Sequence, residues 1–232
     1  MKTTKKAVVL LSGGIDSTTC LALAVDKYGA KNVLALSLYY GQKHERELES
    51  ARKVAQYYGV DQQVQQISGA FDSSDCSLLA GRKDIKHESY AKQLAEMGGE
   101  GTLETYVPFR NGLFLAYAAA IAISVGAEVV YYGAHADDAA GRAYPDCTPE
   151  FKEAMCTAIF EGSGHTLTME APLLYCNKAD VVKTGLALKA PYHLTWSCYE
   201  GGTKPCGKCG ACIDRQQAFE ANGVFYPVLK GE

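Results

Sequence analysis

The feature that most constrains this chain is a glycine-rich turn between an apolar run and a helical run. Residues 7–11 (AVVLL) are typical of a buried strand, and residues 19–24 (TCLALA) are typical of a helix. Residues 12–18 (SGGIDST) lie between them. Unpaired N–H groups and the positive end of a helix dipole converge at such a turn, so this order predicts an anion-binding site.

The composition of the turn indicates which anion it suits. Gly13 and Gly14 let the backbone approach a phosphate closely, Ser12 and Ser17 add hydroxyl donors, and Asp16 suits Mg²⁺. The segment lacks the GxxxxGK[ST] pattern, so it supplies no lysine for a γ-phosphate. The turn therefore favours pyrophosphate, with attack at the α-phosphorus. A strand-to-helix turn capped by Ser or Asp is the simpler alternative.

The SGGxDS pattern resembles the pyrophosphate loop of the PP-loop ATP-pyrophosphatases. That resemblance implies that the end of the first strand and the turn bind ATP together with Mg²⁺. The residues concerned are Val8, Val9, Leu10, Leu11, Ser12, Gly13, Gly14, Ile15, Asp16, Ser17 and Thr18.

The rest of the chain alternates between strand and helix patterns, which predicts an α/β fold with a doubly wound parallel sheet. Further strands are predicted at 33–39, 64–67, 128–133 and 167–171. Helices are predicted at 43–58, 112–125, 150–160, 178–188 and from about 212 to 220, and a loop at 141–149. Residues 70–105 lose this periodicity apart from a short helix at 90–97, so we expect a lid or substrate loop there.

Composition excludes several classes of protein. The chain has 232 residues, 47% hydrophobic and 21% charged, which is ordinary for a globular protein. The formal net charge of −3 does not indicate the basic surface that nucleic-acid binding requires, so we expect no nucleic-acid partner. No apolar run is long enough to span a membrane. The basic start MKTTKK is followed by only five apolar residues, which is too few for a leader, so a cytoplasmic location is expected.

Four of the nine cysteines lie close together in the C-terminal part of the sequence, at Cys198, Cys206, Cys209 and Cys212. Two successive C-x2-C pairs place four thiolates within reach of one ion, which predicts a structural, tetrahedral Zn²⁺. An iron–sulfur cluster and a set of free thiols are the alternatives. We expect an α/β domain over residues 1–190 and a small zinc-binding element over 191–232. A zinc ribbon that binds nucleic acid is an alternative role for it.

Polar residues follow other predicted strands or precede helices. Arg110 suits a carboxylate or phosphate, and Asn111 is a candidate N-cap of the helix that follows. Because ligands bind beyond the carboxyl ends of parallel strands, Asp137 or Asp138 is well placed to read a base edge. A metal site at these two acids is an alternative, and His135 is expected to be solvated.

Four other residues give less specific signals. Lys178 is the first residue of a predicted helix. The N-terminus of a helix is an unfavourable place for a cation unless an anion lies nearby. Lys43 and His44 suit a phosphate, although a solvated helix start is an equal alternative. Cys147 is a candidate nucleophile or a buried structural thiol.

Several motifs together resemble one family, the 7-cyano-7-deazaguanine synthases. They are SGGIDST, YGQKHxxE at 40–47, VPFRN at 107–111, GAHADDAAGRAYPDC at 133–147, APL at 171–173 and the four cysteines. The resemblance implies a PP-loop fold of the HUP-type, Rossmann-like class and a homodimer. It also implies a carbon–nitrogen ligase that converts 7-carboxy-7-deazaguanine to its nitrile with ATP and ammonia, in the synthesis of queuosine and related 7-deazapurines.

Under this resemblance Asp16, Arg110 and Lys178 are the catalytic residues. Arg110, Asn111, Asp137 and Asp138 bind the substrate, and the four cysteines bind zinc. Another PP-loop ligase or a tRNA-modifying sulfur transferase is the main alternative among enzymes, and a non-enzymatic zinc-ribbon module is the alternative from another class. No segment is long enough for a built-in glutaminase, so free ammonia is the expected donor.

Overall fold

The computed structural model describes residues 5–67 and 69–225. Within these ranges, five strands form one parallel sheet. They are β1 (Ala7–Leu10), β2 (Val33–Tyr39), β3 (Asp61–Gln66), β4 (Val129–Tyr131) and β5 (Thr168–Glu170). Their spatial order is β3-β2-β1-β4-β5, so the chain runs outward from β1 to β3 and then crosses back to the other side of β1.

Helices cover both faces of the sheet. In the described part they are α1 (Ile15–Tyr28), α2 (Arg46–Tyr58), α3 (Tyr90–Glu96), α4 (Arg110–Val125), α5 (Ala136–Ala139), α6 (Pro149–Gly162), α7 (Lys178–Ala187) and α8 (Gly210–Ala221). Val9 and Ala35 pack with α1, α2, α7 and α8 on one face. Val8 and Leu36 pack with α4 and α6 on the other. The doubly wound α/β fold is therefore confirmed.

Some element boundaries differ from those that periodicity predicts. Helix α2 begins at Arg46 instead of residue 43, because residues 41–43 bond across to the 78–80 segment: Lys43 N donates to Leu78 O at 2.8 Å. Strand β3 begins at Asp61, three residues earlier than predicted, since an edge strand tolerates polar side chains. The predicted loop at 141–149 contains short 3₁₀ turns.

Residues 69–107 pack against the C-terminal cysteines. The side chains that form this third apolar cluster include Phe71, Leu78, Ile85, Val107, Cys198, Cys209 and Cys212. The predicted helix at 90–97 is confirmed as α3. Helix α8 contributes Ala218 and Phe219 to the core beneath the first sheet face. None of the helices in the described ranges combines the length and apolar character needed to cross a bilayer.

Candidate active site

A cavity of about 240 Å³ opens at the carboxyl ends of β1, β2 and β4. Its walls are the turn after β1, the segment after β2, the loop after β4, the first residues of α4 and α7, and residues of the 196–214 segment. The strand order reverses between β1 and β4, and ligands of open parallel sheets bind at such a switch point. The fold therefore brings the predicted loops to one site.

The turn after β1 is held by its own serines. Ser12 N donates to Ser17 Oγ at 3.2 Å, the two hydroxyls lie 3.0 Å apart, and Gly14 N donates to Ser12 Oγ at 3.3 Å. Gly13 has a φ of +92°, and a Cβ there would lie 2.6 Å from Ala51 N and closer still to Glu47 O. The turn thus packs directly on the backbone of α2, which only glycine permits.

Part of the predicted ATP segment faces the cavity and part does not. The lining residues are Leu10, Leu11, Ser12, Gly14, Ile15, Asp16 and Ser17. Val8 and Val9 are fully buried in the sheet, and Thr18 is fully buried in α1. These three side chains support the turn from beneath instead of lining the cavity.

Three segments meet at an ion cluster beside the turn. Lys178 Nζ donates to both carboxylate oxygens of Asp16, at 2.8 and 2.7 Å, and lies 3.2 Å from His135 Nε2. The same His135 nitrogen lies 3.2 Å from Asp138 Oδ2. The carboxylate of Asp16 thus supplies the anion that makes a cation acceptable at the start of α7. His135 is only 3% exposed, so the expectation that it is solvated was wrong.

The close approach of two loops creates this cluster. Gly133 lies against the first turn of α1, where a Cβ would come within 3.2 Å of Ser17 N. That contact brings His135 inward under the start of α7, which sequence spacing could not indicate. Burial acts to raise the pKa of Asp16, but the charges of Lys178 and His135 outweigh it and hold the pKa below its usual value. Burial raises the pKa of Asp138.

The two neighbouring aspartates have different surroundings. Asp137 Oδ2 accepts a hydrogen bond from Lys178 N at 2.7 Å and does not line the cavity. Asp138 lines the cavity and contacts His135. Asp137 therefore satisfies a free N–H at the start of α7, and Asp138 is the member of the pair that can meet a ligand.

Arg110 is the first residue of α4 and lines the opposite wall. Its Nη1 donates to Tyr40 Oη at 3.1 Å, and its guanidinium lies 5.5 Å from the ring centre of Tyr40 and 5.9 Å from that of Phe114. Burial acts to lower the pKa of Arg110, but Tyr40 and Asp146 raise it, so the group stays charged. Much of the guanidinium's donor capacity remains available to an anion or carbonyl.

Asn111 does not cap α4, which corrects the prediction made for it. The helix begins at Arg110, two residues before the predicted start at 112, and follows Phe109 in the left-handed region (φ +54°). Asp146 Oδ2 takes the capping role and accepts a hydrogen bond from Asn111 N at 2.8 Å. The Asn111 side chain donates to Cys147 Sγ at 3.2 Å and lines the cavity.

Sequence reasoning missed an aromatic half of the cavity. Its rings are Tyr40, Tyr90, Phe114, Tyr132, Tyr144, Trp196 and Tyr199. Glu47, the last residue of the YGQKHxxE motif, lies among them, and burial raises its pKa to about 7 although the charge of Arg110 opposes this. Asp214 also lines the cavity, where burial raises its pKa to about 6. The aromatic residues are scattered over the chain, so no local pattern indicates them.

The remaining candidates are less suited to chemistry. Cys147 is 5% exposed, and burial raises the pKa of its thiol well above the usual value, which disfavours a nucleophilic thiolate. Lys43 and His44 both line the cavity, and burial lowers the pKa of His44. These two residues remain within reach of a ligand.

The four C-terminal cysteines converge. The sulfur atoms of Cys198, Cys206, Cys209 and Cys212 all lie within 4.8 Å of one another. Cys206 N donates to Cys198 Sγ at 3.2 Å, and Cys209 N donates to Cys206 Sγ at 3.3 Å, which stabilises thiolates. Four converging sulfur donors fit a tetrahedral metal without an open position. The cluster is therefore compatible with a structural metal ion.

Comparisons with known proteins show which family the chain resembles over nearly its whole length. A family model described as queuosine biosynthesis protein QueC matches residues 6–223. A 7-cyano-7-deazaguanine synthase of Oceanobacillus iheyensis is 44% identical over 232 residues, which cover 97% of this chain and 98% of that protein. One from Archaeoglobus fulgidus is 43% identical over 98% of this chain and 91% of that protein.

A solved structure supports the fold alone. The chain resembles an NMN synthetase from Francisella tularensis with a TM-score of 0.50 at 16% identity, covering 97% of this chain and 79% of that chain.

Proposed function

Because the chain belongs to the QueC family of queuosine biosynthesis proteins, we propose that it is an ATP-dependent carbon–nitrogen ligase that makes 7-cyano-7-deazaguanine. Its substrates are 7-carboxy-7-deazaguanine, ammonia and ATP. The observation that carries the proposal is one cavity with an anion-binding turn on one side and Arg110 among aromatic rings on the other. A nucleotide phosphate and a planar acid can meet there.

The reaction needs two activations of oxygen. The substrate carboxylate attacks the α-phosphorus of ATP and pyrophosphate leaves. Ammonia then attacks the acyl carbon, loses a proton and expels AMP, which leaves the primary amide. The amide oxygen attacks a second ATP in the same way. Loss of the remaining N–H protons and of AMP then forms the nitrile.

The residues of the cavity suit these steps. Ser12 and Ser17, with the N–H groups at the start of α1, bind the phosphates that depart as pyrophosphate. Arg110 binds the acid and holds it for attack. Lys178 stabilises charge on the phosphate oxygens, and Asp138 and Asn111 line the same cavity as candidates for contact with the substrate.

Two metal ions fit the side chains present. Asp16 offers hard oxygen donors beside the phosphate turn and would hold the Mg²⁺ that accompanies ATP. The ion would neutralise phosphate charge there. The four cysteines would hold one Zn²⁺ per chain in a structural role.

The product of the reaction tests the proposal. The protein is incubated with ATP, Mg²⁺, ammonia and 7-carboxy-7-deazaguanine, and the products are identified by mass spectrometry. We expect the nitrile, with AMP and pyrophosphate as the products of ATP. Accumulation of the amide would limit the activity to the first half, and no substrate-dependent consumption of ATP would refute it.

We also propose that the protein acts as a cytoplasmic homodimer without a nucleic-acid partner, as the family resemblance implies. None of its nine cysteines is paired in a disulfide, which suits a reducing compartment. Light scattering on the purified protein should give twice the chain mass, and a monomer mass would contradict the dimer.

A further inference from the structure

Glu47 is an acidic residue of the cavity that the steps above do not use. It lies in the first turn of α2, faces the aromatic half of the cavity and is half-buried. The charge of Arg110 acts to lower the pKa of the Glu47 carboxyl. The charge of Glu47 in turn acts to raise the pKa values of the Tyr40 and Tyr199 hydroxyls. Among the described residues, no hydrogen bond is made to its carboxylate.

Such a carboxylate costs free energy unless a partner satisfies it. An ionised group that is partly removed from water and lacks hydrogen bonds is unfavourable, and burial raises the pKa of Glu47 accordingly. A ligand with two adjacent N–H donors would satisfy both oxygens in a bidentate pair. No described residue makes these hydrogen bonds to Glu47, so a ligand in the cavity can make them.

We propose that Glu47 determines specificity by accepting hydrogen bonds from the ring N1–H and the 2-amino group of the 7-deazaguanine. This inference rests on the proposed function, because that substrate carries two such donors on one edge. Asp16 and Asp138 are less suited to this role, since they lie beside Lys178 in the phosphate half of the cavity.

Neighbouring side chains match the rest of the same base. The carbonyl oxygen on C6 and the carboxylate on C7 lie next to each other on one side of the ring system. The charge of the Arg110 guanidinium acts on the carboxyl of Glu47, and its N–H groups can donate to the C6 carbonyl oxygen and to the C7 carboxylate. Tyr40, Phe114 and Tyr199 supply aromatic faces and edges for a planar heterocycle.

The test compares two substrates and two variants. The substrates are 7-carboxy-7-deazaguanine and its analogue that lacks the 2-amino group. The variants are Glu47→Gln and the control Glu49→Gln, which removes an exposed carboxylate of the same helix that pairs with Arg46. Thermal melting of each variant reports whether it folds.

We expect the wild type and the control to prefer the parent substrate by ~30-fold in kcat/KM. A factor of this size corresponds to the loss of hydrogen bonding to a charged group. Glu47→Gln should raise the KM for the parent substrate by ~30-fold, leave the KM for ATP within about twofold, and nearly abolish the preference between the two bases.

Two results would overturn the inference and leave the proposed function intact. One is a wild-type enzyme that converts both bases equally well, a result that needs no variant. The other is a folded Glu47→Gln protein that keeps the wild-type preference. If the wild type converts neither base, the proposed function falls and this inference falls with it.

Discussion

At the scale of single residues, Gly13 decides whether the phosphate turn can lie on α2. Gly13→Ala adds the cost of a positive φ, about 1 kcal/mol, and places a Cβ 2.6 Å from Ala51 N. Helix α2 must then shift, and the turn with it. We expect a loss of more than about 2 kcal/mol in the free energy of unfolding and loss of ATP turnover. Urea unfolding and a pyrophosphate-release assay measure the two effects.

Gly59→Ala is the matched control for this prediction. Gly59 also has a positive φ, of +66°, in the left-handed region, but a Cβ there meets nothing within 4 Å. It should cost about 1 kcal/mol and leave turnover unchanged. Equal losses in the two variants would mean that the contact with α2 is unimportant.

The carboxyl group of Glu47 makes stability depend on pH. Its pKa rises from 4.5 to about 7 on folding, so between these values the folded state binds the proton more tightly than the unfolded state. The stability contributed by this group therefore falls as pH rises through that range. Glu47→Gln removes the effect and should gain on the order of 2 kcal/mol relative to wild type between pH 4.5 and 7.5. Urea unfolding across this range measures it, and parallel curves would contradict it.

At the scale of elements, alternation of strands and helices predicted which loops share the sheet edge. The chain order alone could not predict how those loops touch. His135 was expected in solvent because its burial depends on the approach of Gly133 to α1. Asn111 was expected to cap α4, and it does not because Asp146, 35 residues later in the chain, takes that place. Polar β3 was predicted too short, since pairing with β2 outweighs its weak apolar pattern.

The junction of α7 with the turn after β1 gives a prediction at this scale. Lys178→Ala removes the ammonium group that pairs with Asp16 and whose charge acts on Asp138. We expect kcat to fall by ~100-fold or more and the free energy of unfolding to fall by on the order of 2 kcal/mol. Lys183→Ala removes an exposed lysine from the same helix and should change neither quantity. Wild-type kcat in a folded Lys178→Ala protein would exclude Lys178 from the reaction.

At the scale of the whole molecule, the cysteine cluster joins three parts of the structure. It packs against Phe71 and Leu78 of the 69–107 segment. It begins α8, which reaches the main core through Phe219 and the cavity through Asp214. The metal-binding pattern of the cysteines could be predicted from their spacing. The connection to the cavity could not, because it depends on how α8 packs against α7.

This arrangement predicts that metal loss affects both stability and substrate binding. Cys209 is fully buried and lies at the start of α8, so Cys209→Ala should abolish zinc binding and loosen the wall that carries Asp214. We expect a lower melting temperature and higher KM values, with zinc content measured by mass spectrometry. Cys176→Ala, which removes a half-buried thiol outside the cluster, should keep one zinc per chain and wild-type KM values. A zinc-free Cys209→Ala protein with unchanged melting and KM would mean that α8 holds the cavity wall through its contacts with α7 alone.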